Sequence, residues 1–152
     1  MNVKIKLIEN GKLPVKGSEH AACFDCFVRK IDHLPDGMVI CSLGFATEIP
    51  EGYKGVIVSR SNITKYGWVL ANGIGIVDSD YRNEWQARFR PIPEQLNHIV
   101  GEGYFNSPFP YKINERVCQI YFEKVNEFTF NVVDDLGDTI RGLGGFGSTG
   151  KS

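Results

Sequence analysis

The sequence predicts an all-β domain, and three observations carry that expectation. Seventeen glycines and seven prolines are spread along 152 residues as punctuation between short runs. Those runs are rich in β-branched and aromatic residues, and several alternate apolar with polar side chains, the period of a strand with one buried face. No long stretch repeats apolar residues at the helical period, and only 62–66 suggests a helical turn.

The first strand is expected where Val3, Ile5 and Leu7 alternate with Lys4 and Lys6, half-buried on the apolar side. Similar runs follow at 23–28, 38–42, 45–49, 53–59, 68–71, 73–77, 85–91, 116–122 and 128–133. Pro35-Asp36-Gly37, Pro50-Glu51-Gly52 and Ser79-Asp80 supply turn chemistry between them. Many short strands joined by frequent turns imply a sandwich or a barrel. Residues 93–112 mix aromatics, proline and glycine without periodicity and read as a long loop, either functional or a tolerated insertion. Residues 137–152 are glycine-rich and too poor in apolar side chains to add to a core. The expected organisation is one domain over 1–136 and an arm over 137–152 that orders only when something binds it.

Composition excludes some classes. The formal charge of −1 gives no electrostatic basis for gripping nucleic acid. No apolar run approaches the roughly 20 residues that span a bilayer, and the N-terminus lacks the apolar stretch of a secretory signal. A soluble cytoplasmic protein is expected, with neither nucleic acid nor membrane as partner. Cys23 and Cys26 form a literal C-x-x-C, yet no second pair accompanies them, and His20, His33 and His98 are isolated from one another. Three-residue spacing in a strand sends two thiols to opposite faces. With Cys41 and Cys118 they are expected to be unbonded, small and buried.

Three segments carry chemistry. The run from Asn72 through Gly75, Ile76 and Val77 to Asp78 and Tyr81 reads as a hairpin whose small residues let backbone approach a flat ligand. It ends in a carboxylate and an aromatic ring; an ordinary hairpin with an Asp-rich turn gives the same pattern. Arg60, Ser61 and Asn62 offer a guanidinium, a hydroxyl and an amide on one short loop, a set that suits phosphate oxygens. Arg141 opens a tail in which glycines expose consecutive N–H groups, Ser148 and Thr149 add hydroxyls, and Phe146 offers a stacking face. Residues 145–152 also match the P-loop pattern, but a working P-loop opens a helix, and none is expected after Ser152.

Taken in order, five segments resemble the five motifs of the trimeric dUTPase family: 22–26, 59–63, the hairpin through Asp78 and Tyr81, 114–120, and the tail 141–150. The resemblance implies a distorted jelly-roll or β-barrel and a homotrimer with sites between subunits, each closed by a C-terminal arm from a neighbour. It implies hydrolysis of dUTP to dUMP and pyrophosphate, which removes dUTP from the DNA precursor pool and supplies dUMP for dTMP synthesis. Asp78 would then be the general base for a water attacking the α-phosphorus. Asn72 and the backbone of Gly75, Ile76 and Val77 would pair with uracil, Tyr81 would pack on deoxyribose, and Gln86 would lie near the substrate. Arg60, Ser61, Asn62 and Gln119 would hold the phosphates from one side. Arg141, Gly147, Ser148 and Thr149 would hold them from the other, with Phe146 stacked over the base. Mg2+ would sit on the triphosphate oxygens, and Asp25 would contact it through water, unless it is a structural carboxylate paired within the sheet.

Some positions depart from the family pattern. Cys23, Asn62 and Asn83 stand where glycine is usual, Ser59 replaces a proline, and Asn114-Glu115 replaces Gly-Asp. Asn62 is expected to survive because asparagine tolerates positive φ. Two rivals remain: a dCTP deaminase, which shares the Ser-Arg-Ser segment but has a different third segment, and an idle trimeric binding protein whose 93–112 loop engages a protein partner.

Overall fold

The computed structural model describes residues 2–92 and 108–145. Among these residues there is no α-helix. Eleven strands form: β1 (Lys4–Leu7), β2 (Val15–Lys16), β3 (Phe24–Phe27), β4 (Lys30–His33), β5 (Val39–Ser42), β6 (Phe45–Glu48), β7 (Tyr53–Ser59), β8 (Trp68–Leu70), β9 (Gly75–Val77), β10 (Gln86–Pro91) and β11 (Arg116–Lys124). The one helical element is a 3-10 turn at Ser61–Lys65, where the sequence suggests it.

Every strand pair is antiparallel. One sheet runs β2-β3-β11-β7-β9, a second runs β4-β5-β10-β8, and β1 pairs with β6 alone. The two larger sheets share one apolar core, filled by Phe45, Trp85, Phe89, Val117 and Ile120, all almost fully buried. The result is the jelly-roll-like sandwich that the turn spacing and the resemblance imply. Trp85 fixes the seam between elements. Its ring lies 5.4 Å from Phe45 and 6.1 Å from Phe122, and its Nε1 donates to Thr47 Oγ1 at 3.1 Å. Gly55 lies so close beneath this ring that a Cβ there would collide with it.

Several expectations change. Residues 128–133 form no strand: Phe128, Phe130 and Val132 are 79%, 99% and 95% exposed. Their alternation is that of a strand with no partner among the described residues. Ile5 and Leu7 form β1 as expected, but they are 37% and 45% exposed rather than buried on one face. β2 and β4 lack an alternating signal; β4 exists because it pairs residue for residue with β5. Asn62 needs no positive φ, since it lies in the 3-10 turn; Asn114 takes the left-handed conformation instead, at φ 71°, where the family's usual residue is glycine. All four cysteines are unbonded; Cys26, Cys41 and Cys118 are buried and Cys23 is half-buried. No helix among the described residues is long and apolar enough to cross a membrane.

Candidate active site

The hairpin predicted at 73–77 is built as the sequence suggests. Gly73 turns the chain at φ 68°, with its N–H on Leu70 O at 3.0 Å, and Ile74 N donates to Asn72 O at 2.7 Å. β9 then pairs with β7, Gly75 opposite Ile57 and Val77 opposite Gly55. A cleft of about 250 Å³ opens between this hairpin and β10. Asn72, Gly75, Ile76, Val77, Asp78, Tyr81 and Gln86, all expected site residues, line it together. Its walls combine the two amides of Asn72 and Gln86 with an apolar floor from Ile57 and Trp85, and Asp78 adds an exposed carboxylate.

Asp78 begins a loop that closes on itself. Tyr81 N donates to Asp78 O at 3.2 Å, and the Tyr81 hydroxyl donates to Glu84 O at 3.2 Å. Arg88 also lines the cleft, and its Nη2 donates to Gln86 Oε1 at 3.3 Å. Sequence reading missed Arg88, although the strand period places it on the face of Gln86 two residues earlier.

A second group gathers around Asp25, whose side chain is 5% exposed. Oδ1 accepts from Arg60 Nε at 3.2 Å and Gln119 Nε2 at 3.1 Å, and Oδ2 accepts from Arg116 Nη1 at 3.0 Å. Arg60 Nη1 also donates to Arg116 O at 3.2 Å. Asp25 thereby orients two guanidiniums and an amide at once, a cluster suited to an anion. Gln119 faces Asp25 directly across the β3–β11 ladder. Arg116 lies three residues before Gln119, so an ideal strand would put them on opposite faces. A register shift between Arg116 and Cys118 turns the chain so that both reach the carboxylate. Sequence reasoning did not single out Arg116, because a bulge leaves no periodic signature.

This cluster borders a different cleft of about 430 Å³, lined by Arg60, Asn62, Tyr111 and Arg116 among others. Asn62 Oδ1 accepts from the Tyr111 hydroxyl at 3.0 Å, and burial pushes the Tyr111 hydroxyl up to about 12, so it stays a donor at neutral pH. Ser61 is exposed beside it. No residue lines both clefts. One chain thus carries the hairpin slot and the arginine cluster as separate surfaces.

Arg141 lines neither cleft; it is exposed, and its Nε donates to Gly144 O at 2.8 Å. Phe146, Gly147, Ser148 and Thr149 lie outside the described residues, as does 93–107 of the 93–112 loop.

The fit of a magnesium ion can be judged from the Asp25 donor set. Both carboxylate oxygens already receive hydrogen bonds from cationic or amide donors, so Asp25 does not fit a direct metal ligand. No group of acidic, histidine or cysteine side chains among the described residues is arranged to hold an ion.

The Asp25 cluster yields a first expectation. In Asp25→Asn, an NH2 group would face a guanidinium or the Gln119 amide, leaving like donors opposed. Stability is expected to fall by about 3 kcal/mol in urea unfolding, at the low end for a broken buried pair because Arg116 is 45% exposed. An unchanged midpoint would remove Asp25 from its central place.

The fold is a jelly-roll-like sandwich with a slot beside a carboxylate on one surface and paired arginines on another. The comparisons narrow this class. A family described as dUTPase matches residues 9–89. The deoxyuridine 5'-triphosphate nucleotidohydrolase of Yarrowia lipolytica is 35% identical, over 99% of this chain and 90% of that protein. That of Paramecium bursaria Chlorella virus 1 is 36% identical, over 95% and 94%. Among solved structures, a substituted dUTPase of Staphylococcus bacteriophage 80alpha with dUpNHpp superposes at a TM-score of 0.78, with 21% identity and 98% of each chain covered. The chain belongs to the dUTPase family.

Proposed function

We propose that this protein hydrolyses dUTP to dUMP and pyrophosphate at a site assembled between copies of the chain. The observation that carries the reading is Asp78 at the rim of the slot formed by Asn72, Gly75, Ile76, Val77 and Tyr81.

In this reading, Asn72 and the backbone of 75–77 pair with the uracil edge. A hairpin closed around the base leaves no room for a methyl group at C5, and its donor and acceptor order rejects cytosine. Tyr81 packs against the deoxyribose and disfavours a 2′-hydroxyl. Asp78 accepts a proton from water as that water attacks the α-phosphorus, and pyrophosphate leaves from the opposite side. Arg60, Ser61, Asn62 and Gln119 grip the phosphates, with Arg60 and Gln119 held in place by Asp25. Arg141 and the tail residues Phe146, Gly147, Ser148 and Thr149 close the site. Magnesium would be brought by the triphosphate rather than by the described side chains, and would neutralise its charge.

That no residue lines both clefts fits a homotrimer in which one copy supplies the slot and another the arginine cluster. An apolar groove of about 390 Å³, lined by Val3, Ile5, Leu13, Phe24, Phe45 and Phe122 among others, lies open beside β1. The exposed strip Phe128, Phe130 and Val132 of a neighbouring copy suits its apolar lining. That contact would supply the ladder partner that 128–133 lacks and carry the arm over 137–152 to a neighbour's site.

A panel of dUTP, dTTP, dCTP and UTP, assayed with and without magnesium, tests the activity. Pyrophosphate is expected from dUTP at a rate at least about 100-fold above the other three, the scale of discrimination that sterics and hydrogen bonding supply together. Comparable turnover of dTTP, or ammonia released from dCTP, overturns the reading.

A further inference from the structure

The loop that carries Asp78 and Tyr81 has an anchor that catalysis does not use. The Glu84 carboxylate accepts from Arg29 Nε at 2.8 Å and Arg29 Nη2 at 2.7 Å, and Oε1 also accepts from Gly44 N at 2.8 Å. This is a forked guanidinium–carboxylate pair with a third donor added, and the side chains are only 22% and 14% exposed. Its two partners lie 55 residues apart in sequence. Arg29 is itself fixed, with its N–H on Ser42 O at 2.9 Å and its stem packed on Gly44. Immediately after Glu84, Trp85 enters the core, with its N–H on Phe45 O at 2.9 Å.

The loop over 78–84 has little else to fix it. Its side chains are exposed apart from the partly covered Ser79 and Glu84. Its remaining hydrogen bonds among the described residues are internal: Arg82 Nη1 to Ser79 O at 2.6 Å and to Tyr81 O at 3.2 Å, Glu84 N to Asn83 Oδ1 at 2.7 Å, and the two Tyr81 bonds described above. The Tyr81 hydroxyl ends on the backbone of Glu84, so the aromatic ring is tied to the same residue that Arg29 clamps.

We propose that the Arg29–Glu84 pair is a latch that positions Asp78 and Tyr81 for the reaction, without touching substrate. The proposal rests on the assignment of Asp78 as the base. A general base works only within hydrogen-bonding reach of its water, so a loop free to drift by about 1 Å loses rate before it loses affinity. Arg29 is the right residue for the task because its planar fork fixes both oxygens of Glu84, which a lysine ammonium cannot do.

The latch also has a defined pH window. The hydrogen bonds from Arg29 hold the Glu84 carboxyl below the usual carboxylate range, helped by Gly44 N–H and the charge of Lys30 and opposed by partial burial. Asp32 and Glu9 are the other charged groups that act on Arg29. A group with its folded value depressed stabilises the fold above its ordinary pKa, and that contribution is lost as pH falls through the depressed value. The latch is therefore closed at neutral pH and opens only in acid.

The test compares wild type with Glu84→Gln, Arg29→Met, Arg29→Lys and Asp78→Asn, and with the double variant Asp78→Asn/Glu84→Gln, all as the full-length assembled protein. For Glu84→Gln and Arg29→Met, kcat for dUTP is expected to fall about tenfold with KM within about twofold of wild type. Arg29→Lys should recover only part of that loss. In the Asp78→Asn background, Glu84→Gln should cost little further rate, because the residue acts through Asp78. The melting-temperature gap between wild type and Glu84→Gln should be present at neutral pH and close in acid. A kcat within twofold of wild type in folded Glu84→Gln and Arg29→Met, or full additivity with Asp78→Asn, overturns the latch. Full activity in Asp78→Asn itself overturns the underlying assignment instead, so the two failures are distinguishable.

Discussion

Asp78→Asn is expected to lower kcat for dUTP by roughly 10³-fold, within the span general base catalysis usually supplies. The substitution keeps the shape of the side chain but replaces an oxygen that can take a proton with an amide nitrogen that cannot. The hairpin proposed to read the base is built from β9, the Gly73 turn and Asn72, none of which depends on the carboxylate. Calorimetric affinity for dUpNHpp should therefore stay within a few-fold of wild type. If the variant turns over dUTP at a tenth of the wild-type rate or better, the attacking water is activated by some other group. Loss of binding in parallel with rate would instead make Asp78 part of the substrate grip.

The second large effect is expected away from the chemistry. Phe128 and Phe130 are 79% and 99% exposed, and full burial of such a side chain contributes about 1.5–3 kcal/mol. Replacing both with aspartate removes about 3–6 kcal/mol per arm before any charge repulsion, or roughly 10²- to 10⁴-fold in association. Light scattering after size exclusion should show a monomer where a trimer is expected of wild type, with the far-ultraviolet dichroism of the sandwich retained. Activity should fall by at least about 100-fold, because the hairpin slot and the arginine cluster then have no common space. A double variant that stays trimeric and active would show that other surfaces assemble the protein.

The sequence announces its strands best where one face is covered within the same chain. The runs at 53–59 and 116–122 became β7 and β11 almost to the residue, because each is buried by the opposite sheet. The same alternation at 128–133 and at Val3, Ile5 and Leu7 was equally visible, yet Phe128, Phe130, Val132, Ile5 and Leu7 are exposed here and only Val3 packs against the core. Periodicity reports that a face must be covered and is silent on which molecule covers it. β4 went unseen for the opposite reason, since Lys30-Ile31-Asp32-His33 shows a single apolar residue and owes its conformation to β5. In the site, the hairpin residues were legible because they are contiguous. Arg116 was not, since a bulge places it, and the Arg29–Glu84 pair joins segments with no local mark of their contact. Asn114 illustrates the limit of reading departures from a motif: positive φ was expected at Asn62 and occurs instead at Asn114, where asparagine again does duty for glycine.

The interior thiols have a chemical consequence of their own. Cys26, Cys41 and Cys118 are fully enclosed, and burial pushes the Cys41 thiol up to about 12, with Cys118 also well above the ordinary value through its contact with Cys26 and its burial. Sulfur reacts with electrophiles and peroxides mainly as the anion, and at Cys41 and Cys118 almost none is present at physiological pH. All three buried sulfurs pack as small polarizable apolar groups, enclosed for as long as the β-sandwich stays shut, and Cys23 is the one cysteine that reaches the solvent.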